Sequence, residues 1–149
     1  MEKQRVLVIH HSEKTRQGIH KILSNFDFEL LYAADGLEGL AASKYDCPDL
    51  VITDINLPIL DGVSLTQMLR NDCCTEDIPI IILNDNLNYE FACKARNLKA
   101  KAFLMKPYLD NSLVYAVNRA LGNNIPKTNK RLPYNLVVKM NKPVLARGN

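Results

Sequence analysis

The chain alternates short, wholly apolar runs with longer stretches in which apolar residues recur every three or four positions. Val6-Leu7-Val8-Ile9 is the first run. It is too short for a helix and apolar on both faces, so it predicts a central parallel strand covered on both sides. Ser12 and Glu13 then open a stretch with Ile19, Ile22 and Leu23 on one face, the pattern of an amphipathic helix ending near Asn25. The alternation repeats: strand 28–32, helix 36–44, strand 50–53, helix 62–70, strand 79–83, a helix near 89–98, strand 102–105 and a helix 110–121 with Leu113, Val114, Val117 and Leu121 inward. Five strand-helix units predict an α/β fold, a flavodoxin-like doubly wound five-stranded parallel sheet with helices on both faces.

In such a sheet, function collects in the crevice at the carboxyl ends of the strands. The polar residues ending the apolar runs are therefore the ones to read: His10 and His11 after the first strand, Asp54 after the third, Asn84 after the fourth and Lys106 after the fifth. A carboxylate at a strand tip offers an exposed nucleophile, and an ammonium beside it can stabilise charge on transferring oxygens.

Composition narrows the classes without choosing among them. With 149 residues, 47% hydrophobic and 23% charged, the chain suits one globular domain with a full core. The charge is uneven. Residues 122–149 carry six basic residues, no acid, six Asn and three Pro, and removing those six charges from the net +3 leaves −3 for residues 1–121. The division expected is a domain over 1–121 and a basic tail or linker over 122–149. The tail is expected to be extended or disordered, with one short strand at 134–140 that docks on the body or pairs with another chain. Six basic charges with one aromatic make no base-reading motif, so nucleic acid is not an expected partner.

No apolar run is of membrane-spanning length and the amino terminus has no signal-peptide layout, so a soluble, cytoplasmic protein with no membrane contact is expected. Cys47, Cys73, Cys74 and Cys93 form no CxxC pair and have no His at zinc-finger spacing, which reads as reduced structural thiols. The first strand is followed by no Gly-rich phosphate loop, and the strand ends suggest no Ser-His-Asp or Cys-His arrangement. The chain is therefore not expected to be an enzyme in its own right.

The sequence Asp49-Leu50-Val51-Ile52-Thr53-Asp54-Ile55-Asn56-Leu57-Pro58-Ile59-Leu60-Asp61-Gly62, with Ala34-Asp35-Gly36, the strand 78–83 and Phe103-Leu104-Met105-Lys106-Pro107-Tyr108, resembles the response-regulator receiver family of two-component systems. The resemblance covers about residues 4–121. It implies that Asp54 accepts a phosphoryl group from a histidine kinase, that Lys106 supports the transfer, that Pro107 holds the Lys106 loop in a cis bend, and that Phe103 is the switching aromatic. It also implies an output domain beyond the tail, or another signalling protein as target. A homodimer through the last two helices and last strand is implied too, with Lys94, Lys101 and Arg119 as contact charges.

Four positions depart from the family. His10 and His11 replace the acidic pair after the first strand, which leaves Asp54 and Asn56 to hold magnesium. Mg²⁺ is a hard ion that prefers oxygen, so its binding is expected to be severely weakened, and with it phosphorylation of Asp54. Asn84 stands where the family uses Thr or Ser to contact the phosphoryl group. Lys99 stands where Gly commonly closes a helix.

Three readings follow. The preferred one is a degenerate receiver acting through protein interaction, with Asp54 and Lys106 paired to imitate a fixed state. The alternative is a genuine phosphorylation-controlled receiver. The third takes His10, His11 and Asp54 as ligands of a transition metal. Against it, adjacent residues on an extended strand point to opposite faces, so both histidines serve one ion only if the chain turns between them.

Overall fold

A computed structural model gives the fold and describes residues 2–85, 93, 96–108, 110–124, 136–139 and 143–145. Elements follow the expected order: β1 (Gln4–Ile9), α1 (Glu13–Leu23), β2 (Phe28–Ala33), α2 (Gly36–Asp46), β3 (Leu50–Asp54), α3 (Gly62–Arg70), β4 (Ile80–Asn84), β5 (Ala102–Met105) and α4 (Asp110–Ala120). The helix expected near 89–98 lies mostly outside the described residues, as does Lys94.

Each helix start has a local cause. Ser12, Asp35 and Asp61 precede α1, α2 and α3, and each side chain accepts a backbone N–H from the first turn, at Thr15, Glu38 and Ser64. These caps satisfy donors that the helix itself leaves unpaired.

The strand order β2-β1-β3-β4-β5 is that of a flavodoxin-like sheet, all parallel. Successive side chains on a strand point to opposite faces, and the core divides accordingly. Val6, Val8, Leu50, Ile52, Ile81, Leu83 and Leu104 pack on one face with Ile19 and Leu23 of α1 and Leu113 and Val117 of α4. Leu7, Ile9, Val51, Ile80, Ile82 and Phe103 pack on the other with Leu40 of α2 and Leu65 and Leu69 of α3. Each fully buried aliphatic side chain contributes about 1.5–3 kcal/mol. The chain order reverses between β1 and β3, which places the functional crevice at Ile9–His10 and Asp54.

The tail departs from expectation. β6 (Leu136–Lys139) falls within the strand foreseen at 134–140 and pairs antiparallel with β5, Phe103 opposite Val137. A second strand, β7 (Pro143–Leu145), pairs antiparallel with β6 and was not anticipated, because its proline reads as a breaker. Proline is tolerated at the first position of an edge strand, where Pro143 sits. The sheet therefore has seven strands, and the edge of β5 is covered within the same chain.

Lys99 adopts a left-handed backbone with φ +57°, the conformation for which glycine is favoured. Its turn is held from outside: the Arg70 guanidinium donates to the carbonyls of Leu98, Lys99, Glu76 and Ile78. Ile59 is stranger, a β-branched residue at φ +71° and 76% exposed in the loop after β3. A left-handed L-residue costs about 1–2 kcal/mol, partly offset by the freedom glycine adds to the unfolded chain. Ile59→Gly is therefore expected to stabilise the fold by roughly 0.5–1 kcal/mol, and a urea midpoint at or below that of the parent would contradict the strain.

Candidate functional site

The site is a buried carboxylate and the groups that neutralise it. Asp54 ends β3 and is 3% exposed, so it is not the exposed nucleophile expected at a strand tip. It sinks because the following loop folds back over it. Gly62 lies so close that an added Cβ would be 2.3 Å from the Asp54 carbonyl, and at Gly36 a Cβ would be 1.8 Å from the Leu60 carbonyl. Both glycines let the loop 55–62 lie flat against the strand ends.

The carboxylate accepts on both oxygens. Oδ1 takes the Ile55 N–H at 3.0 Å and the Lys106 ammonium at 3.2 Å, and Oδ2 lies 3.3 Å from His10 Nε2. The Lys106–Pro107 peptide is cis, and the Lys106 N–H donates to the Asn84 carbonyl, which ties the lysine loop to the end of β4. Asp85, 66% exposed, lies 3.9 Å from the ammonium on its outer side.

His10 is 3% exposed. The Ser12 N–H points at His10 Nδ1 from 3.0 Å. Both ring nitrogens thus face a donor, the Ser12 N–H at Nδ1 and the Lys106 ammonium 3.0 Å from Nε2, with Asp54 Oδ2 3.3 Å from the same nitrogen. The nearness of the ammonium opposes a second proton on the ring. Burial first, and then Lys106, push the His10 pKa from 6.5 down to about 4; His11 and Arg16 act in the same direction and Asp54 opposes them. Arg16 of α1 donates to the His10 carbonyl and fixes that turn.

The two histidine rings stack, centroids 4.8 Å apart and 19° from parallel. The expectation that neighbouring residues diverge fails here because β1 ends at Ile9 and the chain turns through His10 and His11. The donor atoms of His10, His11 and Asp54 all lie within 4.8 Å of one another. His11 itself is exposed.

The other candidates are more distant. Asn56 is exposed, one turn outside the carboxylate. The Asn84 side chain accepts from the Asp85 N–H at 2.9 Å. Phe103 is buried in the core on the α2–α3 face. Lys101 is exposed and Arg119 half-buried. Tyr108, largely buried behind the lysine loop, has its pKa pushed up to about 12 by desolvation and by Asp110 and Asp54. Sequence reading missed the parts played by the Ser12 N–H and by Arg16. It also missed an open groove of about 260 Å³ lined by Glu13, Arg16, Gln17, His20 and Tyr32, where His20 Nδ1 meets the Tyr32 hydroxyl. A basic residue one turn into the helix that follows a strand end is the weak signal that could have marked Arg16.

A carboxylate at the end of β3, a lysine after β5 and the 2-1-3-4-5 strand order coincide with a family match: residues 6–118 fit the response regulator receiver domain. The chain belongs to that family. It is 31% identical over 117 residues to the transcriptional regulatory protein PrrA of Mycobacterium tuberculosis, covering 78% of this chain and 49% of that one. Protein PilH of Pseudomonas aeruginosa is 27% identical over 78% of this chain and 97% of its own. The chemotaxis response regulator CheY4 of Vibrio cholerae superposes with a TM-score of 0.75 at 27% identity, over 80% of this chain and all of that one. The chain spans about half the length of several curated relatives it matches. It is a receiver domain of the two-component response-regulator type. Among the described residues no helix is long and apolar enough to cross a membrane.

Two outcomes follow from this receiver's carboxylate. Between pH 6.5 and about 4 the unfolded chain protonates His10 and the folded chain does not, so stability falls as pH drops through that window. At about 1.4 kcal/mol for each pH unit crossed, the loss is roughly 3 kcal/mol, and His10→Asn should flatten the urea-unfolding profile measured across it. Lys106→Met leaves Asp54 buried without its cation and should cost about 3 kcal/mol, read by the same unfolding at neutral pH.

Proposed function

We propose that this receiver is atypical: it acts by protein interaction, with the pairing of Asp54, Lys106 and His10 standing in for the metal- and phosphate-dependent state. The observation that carries the reading is that both Asp54 oxygens face side chains of this chain, the Lys106 ammonium 3.2 Å from one and the His10 ring 3.3 Å from the other.

Magnesium, implied by the family, does not fit this donor set. One buried carboxylate supplies the hard oxygens, a lysine ammonium lies 3.2 Å from it, and the nearest replacement donor is an imidazole nitrogen that the same ammonium contacts at 3.0 Å. A transition metal meets the same obstacle. Binding through His10 Nε2 would put the ring proton on Nδ1, against the Ser12 N–H. No phosphoryl step is therefore derived through a metal. The chain has no turnover of its own in this reading, and its partners are a histidine kinase or another signalling protein, and an output domain. Relatives point the same way by their names: PrrA is a transcriptional regulatory protein, and a hybrid signal transduction histidine kinase of Dictyostelium discoideum is 29% identical over 75% of this chain.

The second reading, a phosphorylation-controlled receiver with Asp54 as acceptor, is favoured by the closeness of Lys106 to Asp54. Intact-mass measurement after incubating the full chain with a small acyl-phosphate donor separates the two. With Mg²⁺ or Mn²⁺ the parent chain should gain no phosphoryl mass, whereas His10→Asp with His11→Asp should gain one group, lost again on adding Asp54→Asn. Stoichiometric phosphorylation of the parent at Asp54 would establish the second reading instead.

A further inference from the structure

A second group of ligating side chains lies away from the crevice. Asp72, Cys73 and Cys74 follow the carboxyl end of α3, while the other end of that helix, at Gly62, rests against Asp54. The carboxylate oxygen and the two sulfurs all lie within 4.8 Å of one another, and both cysteines are exposed.

The turn that carries them is fixed by its own backbone. The N–H groups of Thr75 and Glu76 donate to the Asp72 carbonyl at 3.0 and 2.8 Å, and the Cys74 N–H donates to Asp72 Oδ1 at 2.9 Å. Below it, the buried Thr75 hydroxyl donates to the Leu69 carbonyl at 2.7 Å and anchors the turn to α3. The spacing is thus held before anything binds, which limits the ordering entropy a ligand must overcome.

We propose that Asp72, Cys73 and Cys74 form a surface binding site for a thiophilic divalent cation of the Zn²⁺ class, with solvent completing its coordination. Thiolate sulfur and carboxylate oxygen are both zinc ligands, and a three-ligand protein set with an open fourth position is an established arrangement for this ion. The electrostatics favour a cation. A carboxylate and two thiolates within 4.8 Å of one another would repel, and a bound cation relieves that repulsion. On binding, the two thiol protons pass to solvent and the sulfurs donate to the ion, while Asp72 is already ionised. Two thiolates and one carboxylate around a 2+ ion leave a net −1, and Lys44, 3.3 Å from Asp72 Oδ2, offsets it.

The site differs from the crevice in exposure: Asp54 and His10 are buried, whereas Cys73 and Cys74 lie at the surface, open to an ion and to the solvent that would complete its coordination.

The full chain, kept reduced with a phosphine, is titrated with Co²⁺ while sulfur-to-cobalt charge-transfer absorption is followed, and Zn²⁺ is then added in competition. One equivalent of Co²⁺ bound to a monomer, displaced by Zn²⁺, is expected, with reactive thiols falling by two. Cys73→Ser with Cys74→Ser should abolish the absorption, and Cys47→Ser with Cys93→Ser should preserve it. Asp72→Asn, which keeps the oxygen that accepts the Cys74 N–H, should weaken binding by on the order of tenfold or more. Absence of the absorption, its survival in the Cys73/Cys74 variant, its loss in the Cys47/Cys93 variant, or metal that binds only by bridging two chains would overturn the proposal. Circular dichroism of each variant confirms that the fold is kept.

Discussion

The neutralisation of one buried carboxylate organises this receiver. Asp54 is carried to the end of β3 by the buried residues Leu50, Val51, Ile52 and Thr53, and the loop after it closes over the strand end through Gly62. An ionised group so placed needs opposite charge or hydrogen bonds on both oxygens. The chain supplies them from three directions: the Ile55 N–H from the loop itself, Lys106 from the end of β5, and the His10 ring from the end of β1. Strands β1 and β5 flank the β3–β4 pair, so this convergence is possible only once the parallel sheet has formed in the order 2-1-3-4-5.

Replacing an acidic pair by two histidines changes the sign of the local problem. Several carboxylates crowded together repel one another and are relieved by a bound cation. A single carboxylate beside an ammonium and a neutral imidazole is already satisfied. His10 stays uncharged because burial and Lys106 disfavour a second proton while the Ser12 N–H occupies Nδ1. Its neighbour His11 stacks on it and remains at the surface.

The carboxyl-terminal strands join this centre to the rest of the sheet. β5 is short, and Lys106 follows its last residue directly. Pairing of β6 with β5 brings Leu136 opposite Leu104, two positions before the lysine. The strand that positions the ammonium is thus hydrogen-bonded on both sides, by β4 and by β6. An unpaired edge strand exposes its N–H and C=O groups to other chains, and here β6 takes them up.

Much of the fold was legible because its signals are local. Four-residue apolar runs separated by helical periodicity announce parallel strands, and Ser12, Asp35 and Asp61 mark helix starts by chemistry that acts within one turn. Asp54 and Lys106 were found as the polar residues that end such runs. The tail was read less well. Its Asn and Pro content argued for an extended segment, but β6 formed on the edge that β5 offered and β7 then paired with β6.

The sequence by itself determined the element order, the two-faced apolar pattern of the strands and the identity of the polar residues at their ends, since each of these follows from neighbours within a few positions. Only the tertiary structure decided that Asp54 would be buried and that the chain would turn at His10 and stack it on His11. Those outcomes depend on dihedral angles at the ends of strands and helices. Such angles are set by packing between segments far apart in the chain, and no local run of residues encodes them.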